Sequence, residues 1–166
     1  MSYLRSILIT STPDLVKRLA VCVVLLAACH RGNGPAGPAP QSMNESVSQF
    51  LAAVKANDLK RMGDLWGTER GPASQSMNSD VLRQRLTVIQ KYLDHTGYRI
   101  VEGPLLVGGH DDLRTYRVEL QRANCNQVLP IDVVHTHSGG WLVYDVHLEA
   151  AAPNGRCQPA GTGTRP

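Results

Sequence analysis

At Tyr98 the spacing of apolar residues switches from a helical to a strand period, and this switch constrains the fold more than any other feature of the chain. Before it, Val47, Phe50, Leu51 and Val54 fall at i, i+3, i+4 and i+7, one face of an amphipathic helix with Asn44 as its expected N-cap. Asn57-Asp58 interrupts the pattern and caps a second helix carrying Leu59, Met62, Leu65 and Trp66, with Gly67 as its stop. A polar loop is expected over 67–78, punctuated by Gly71-Pro72. A third helix, capped by Ser79 or Asp80, carries Leu82, Leu86, Ile89 and Leu93 and ends at Gly97.

After the switch, residues 98–107 predict a strand in which Gly103-Pro104 demands a bulge or an edge position. A turn is expected over 108–113. Residues 115–121 then alternate, with Tyr116, Val118 and Leu120 on one side and charged or polar residues on the other. Strands over 128–137 and 141–149 follow, joined through Ser138-Gly139-Gly140. The predicted class is α+β: three N-terminal helices packed on a curved four-stranded antiparallel sheet, so that each layer buries its apolar face against the other.

The short helix, Asn-Asp turn and second helix of SVSQFLAAVKANDLKRMGDLW (46–66), with the closing hairpin HSGGWLVYDVHLE (137–149), resemble the nuclear transport factor 2-like superfamily. The resemblance covers nearly all of 44–152. It implies a cone with a cavity between sheet and helices, in which enzymes of the superfamily hold their acid–base residues. It specifies no activity, because the fold hosts enzymes, binders and adaptors.

Upstream, residues 17–29 read KRLAVCVVLLAAC. Two cations precede an apolar run of ten residues, 19–28, half the ~20 a membrane-spanning helix needs. The run closes on Leu26-Ala27-Ala28-Cys29, which resembles the signal box of bacterial lipoproteins. That resemblance implies a signal peptide over 1–28, lipidation of Cys29, and a lipid-anchored place in the cell envelope, at the outer membrane facing the periplasm or at the cell surface. Residues 1–15 form an odd preface, which a true start near Val16 would explain. A Gly/Pro-rich tether is expected over 29–43 and a similar tail over 153–166.

Three of the 17 basic residues and one of the 14 acidic residues lie at or before Cys29, which leaves the remainder at +1 and gives no basic surface for nucleic acid. Of the four cysteines, Cys22 leaves with the leader and Cys29 takes lipid. Cys125 and Cys157 remain, and in an exported chain they read as a disulfide.

Pairing the last hairpin about Gly139-Gly140 sets His135 opposite Tyr144 and Asp132 opposite His147. Ile131, Val133, His135, His137, Leu142, Tyr144 and Val146 then share the face toward the helices. Trp66, Tyr116, His135, His137 and Tyr144 form the candidate pocket. The other face carries Asp132, Asp145 and His147 with Trp141 and Val143, and could serve as a homodimer surface. A one-residue slip would reverse both faces. His135 and His137 also have the spacing of two metal ligands on a strand, but no local motif supplies a third, and no metal or cofactor is expected. His110 with Asp111-Asp112 belongs first to a turn. Glu69 and Arg70, on the loop beside the expected cavity mouth, are candidate contacts for a polar ligand or partner. The expected role is a noncatalytic binding or interaction module for a small ligand or an envelope protein. The alternatives are a small cavity enzyme of the isomerase, dehydratase or hydrolase kind, using His135 or His137 with Tyr144, and a purely structural envelope component.

Overall fold

Ser42, two residues ahead of the expected cap, starts the first helix: its side chain accepts a hydrogen bond from the Glu45 amide, and α1 runs Met43–Lys55. The computed structural model describes residues 37–151. The leader, Cys22, Cys29, Cys157 and the tail therefore lie outside the described residues. The last part of the expected tether is held in place, since the Trp141 amide donates to the Pro40 carbonyl at 2.7 Å.

Val47, Phe50, Leu51 and Val54 of α1 are fully buried. Asn57 closes the helix in the left-handed region, at φ 52°, and Asp58 then caps α2 (Leu59–Leu65) by accepting from the Arg61 amide. Beyond α2 the expected loop is structured. A ribbon of β1 (Gly67–Thr68) and β2 (Gly71–Pro72) is followed by the short helix α3 (Ala73–Ser76). Gly67 begins a strand rather than ending a helix, because Trp66 is already extended and bridges Val143. The side chain of Asn78, rather than Ser79 or Asp80, caps α4 (Ser79–Leu93), whose buried face is Leu82, Leu86, Ile89 and Leu93, as its period predicts. α2 lies close against α4 at Gly63, where a Cβ would come within 3.1 Å of Leu82 Cδ2. Three helices were expected ahead of the sheet; the described residues contain four, and α3 and α4 follow the short strands β1 and β2.

The main sheet is antiparallel, in the order β3 (Gly97–Val107), β4 (His110–Gln121), β5 (Asn126–His135), β6 (Trp141–Val146). The fold is α+β, with helices packed on one face of a four-stranded sheet. β3 is an edge strand with register shifts on either side of Glu102, so Gly103-Pro104 sits where the sequence required it. The β3–β4 turn is only Gly108-Gly109, because Val107 pairs with His110; Asp111 and Asp112 lie in a strand. Tyr116, Val118 and Leu120 point into the core with Leu129, Ile131 and Val133.

The β5–β6 register differs from the expected one. His135 pairs with Trp141, Val134 with Leu142 and Val133 with Val143; an irregularity then admits Tyr144 as an extra residue before Asp132 pairs with Asp145. The connection holds more residues than a two-glycine turn. The Thr136 amide donates to the Gly140 carbonyl at 3.0 Å, and its hydroxyl donates to the Gly139 carbonyl at 2.7 Å. The displacement is by an odd number of residues beside the turn, so the faces exchange there. Val143 and Val146 join the core, and Leu142 packs with Val134 on the opposite side. β6 ends at Val146 rather than continuing to 149, and a 3₁₀ turn occupies Leu148–Ala150.

Candidate functional site

The five residues expected to line one pocket occupy different environments. Tyr116 is 1% exposed, inside the core, and burial raises its hydroxyl pKa. Trp66 is half-buried at the sheet margin, where its indole Nε1 donates to the Tyr144 carbonyl at 3.0 Å. His135 is exposed and meets the Trp141 ring edge-on at 5.0 Å. His137 is exposed beyond the end of β5, its amide donating to the Glu69 carbonyl. Tyr144 is exposed at the irregularity in β6. The register explains the scatter: the residue placed opposite His135 is Trp141, not Tyr144. Trp141 and Val143, the expected anchors of a dimer face, pack toward the core instead.

A different set of residues forms a cleft of about 390 Å³, lined by Glu69, Val107, His110, Asp112, Leu113, Val134 and Tyr144. Leu113 and Val134 are direct cross-strand partners and form its apolar floor. Val107 and His110 close the β3–β4 turn, and Glu69 arrives on the turn between β1 and β2. Glu69 Oε1 lies 3.5 Å from Arg70 Nε, but the Arg70 side chain is 87% exposed, so this pair screens little. Arg70 lines a second cleft, of about 380 Å³, with Gln75, Thr136 and Ser138. The sequence singled out Glu69, Tyr144 and the His110–Asp112 segment separately; only the bent β3–β4 hairpin and the β1–β2 ribbon bring them together.

Two residues along the same face lies a polar cluster. Thr115 pairs with Asp132 across β4 and β5, and Asp132 with Asp145 across β5 and β6. Thr115 Oγ1 donates to Asp132 Oδ1 at 2.5 Å. His147 Nε2 lies 3.1 Å from Asp132 Oδ2, and its Nδ1 lies 3.0 Å from Glu149 Oε1. The expected Asp132–His147 contact thus exists, although the two residues are not opposite in register. For His147, desolvation pulls the pKa down, but the hydrogen bonds to Asp132 and Glu149 and the charges of Asp132 and Asp145 outweigh it, and the net shift is upward. Glu149 is held below its ordinary value by its own backbone amide first and by His147 second. With a carboxylate on each nitrogen, the imidazolium form satisfies both contacts as a donor. Through these two contacts the ring forms a charge-assisted clamp that ties the chain after β6 to the sheet.

Buried polar residues that the sequence did not mark are structural. Arg122 donates to the Tyr92 and Asp94 carbonyls at the end of α4, satisfying helix-terminal acceptors. His95 is 7% exposed, with Nδ1 at 2.7 Å from the Leu93 carbonyl, and burial lowers its pKa. Cys125 is disulfide-bonded, while Cys157, its expected partner, lies outside the described residues. Among the described residues, no group of three or more His, Cys, Asp or Glu side chains is placed to hold a metal, and no helix is long and apolar enough to cross a membrane. Comparison with protein-family models, with curated protein sequences and with solved structures gives no match.

Proposed function

We propose that this chain is a lipid-anchored envelope protein, attached through Cys29, whose α+β domain is of the nuclear transport factor 2-like kind and serves as a noncatalytic binding module. Its ligand is a small molecule, or a side chain of an envelope partner, seated in the cleft between Glu69, Asp112 and Tyr144. The observation that carries this role is the cleft itself: about 390 Å³, within the range of small-molecule sites, with an apolar floor and a few polar groups at the rim. The packing behind it supports the same role. Phe50, Met62, Leu86, Tyr116 and Ile131 are essentially inaccessible between helices and sheet, so a ligand is better accommodated outside the core than within it.

The test is native mass spectrometry of protein extracted from its own envelope, together with its intact mass. The expected result is a chain beginning at an acylated Cys29 with a bound molecule or partner, which is lost when Val134→Trp fills the floor of the cleft. A cytosolic, unacylated chain retaining residues 1–28, with nothing bound, would overturn the proposal.

A further inference from the structure

We propose that the cleft of Glu69, Asp112 and Tyr144 is selective for an organic cation: an ammonium or guanidinium group on a short aliphatic stem. This rests on the binding role above and names its ligand class.

The chemistry of the walls is one-sided. Glu69 and Asp112 bring two carboxylates, and among the described residues no lysine or arginine lines the cleft. Tyr144, 43% exposed, adds a phenol ring, whose π-electrons attract cations. Val107, Leu113 and Val134 supply apolar surface for a methylene stem, which inorganic cations lack. His110 is the other titratable lining residue.

The surroundings act in the same direction. The Leu113–Val134 pair and the Thr115–Asp132 pair are two residues apart on one sheet face, which places the Asp132 cluster ~7 Å along the strands. Asp132, Asp145 and Glu149 there outnumber the single imidazole of His147. Of the nearby cations, Arg114 is turned to the Asp111 and Leu113 carbonyls, and Arg70, 87% exposed and 3.5 Å from Glu69, holds that carboxylate only loosely, so a ligand cation can take its place. An anionic ligand would meet two carboxylates with no cationic lining residue. A wholly apolar ligand would leave both without a partner and gain nothing from Tyr144.

The experiment is calorimetric and NMR titration of the full chain with agmatine, which joins a guanidinium to an ammonium through four methylenes. Adipate serves as the anionic control and 1,6-hexanediol as the neutral one. Agmatine is expected to shift the amides of Leu113, Val134 and Tyr144, and to bind more weakly as salt rises from about 0.1 to 0.5 M. Glu69→Gln and Asp112→Asn should each raise its Kd about fivefold, and Tyr144→Leu about threefold. The proposal is overturned if adipate or hexanediol shifts the same amides as strongly, or if agmatine causes no shift at about 10 mM. It is also overturned if a Glu69→Gln/Asp112→Asn protein with unchanged melting temperature binds agmatine undiminished. A non-cationic molecule retained by envelope-purified protein, with agmatine silent, would remove the ligand class and leave the binding role standing. Silence in both experiments would remove both.

Discussion

Replacing His147 by Ala tests whether the imidazole between two carboxylates holds the end of the domain to the sheet. The substitution removes the contacts to Asp132 at 3.1 Å and Glu149 at 3.0 Å. It leaves Asp132, 8% exposed, with Thr115 as its remaining side-chain partner and Asp145 directly opposite. The contact to Asp132 carries the energy: a hydrogen bond to a charged group contributes ~1.5–3 kcal/mol when shielded, and with the His147 side chain 32% exposed solvent screening reduces it to ~1 kcal/mol, while Glu149, 76% exposed, is left out of the sum. For a domain of this size that corresponds to ~3–5 °C in melting temperature. The sign follows from the raised pKa. The contribution of the charged ring is fully present below its ordinary value of 6.5 and is lost as pH rises through the higher folded-state value. Glu149 runs the other way: its depressed pKa makes its contribution complete above 4.5, with loss as pH falls through the folded-state value. The clamp is therefore fully made in the interval between the two, and thermal melts followed by circular dichroism at about pH 5.5 and about pH 8.5 compare its closed and weakened states. The deficit of His147→Ala against the unsubstituted protein is expected to be larger at the lower pH. Equal deficits at both would mean that the ring contributes by packing alone, and the electrostatic account would be wrong.

Two further pairs of substitutions check the hairpin and the histidines of the expected pocket. Gly140→Ala should cost ~2 kcal/mol in urea unfolding, because φ is +87° and a Cβ would stand 2.8 Å from Ala39 Cβ and 2.9 Å from the Pro40 carbonyl; Gly139→Ala, at φ +89° in open space, should cost about half as much, and equal costs would contradict the packing of 39–40 on the turn. His137→Ala should change stability by less than ~0.5 kcal/mol and His135→Ala by less than ~1 kcal/mol, since both are exposed and only His135 meets a ring; a loss above ~2 kcal/mol in either would mark it as a packed structural residue.

Much of the architecture was legible in order and period. The buried faces of α1 and α4 coincide with the spacing of their apolar residues, because a helix exposes or buries by a fixed angular step that the sequence carries locally. Asn57-Asp58 was legible for the same local reason: one residue adopts a left-handed conformation and the next accepts the first amides of the new helix. The β1–β2 ribbon was not legible. Its two-residue strands have no alternation to display, and Gly67 is required by the Gly71 carbonyl, 2.3 Å from where its Cβ would stand.

Sequence by itself determined that helices precede an antiparallel meander, that β3 carries its irregularity at Gly103-Pro104, and which residues of β4 face inward. Tertiary structure decided the pairing of β5 with β6, and with it the placement of His135 and Tyr144. Register is a relation between two strands, fixed by how the residues around Gly139 and Gly140 turn and by which apolar side chains the helices require, and a shift by an odd number carries a residue from one face to the other. The cleft was decided the same way. Glu69, Asp112, Val134 and Tyr144 are far apart in the chain, and their meeting depends on long-range pairing that no local pattern encodes.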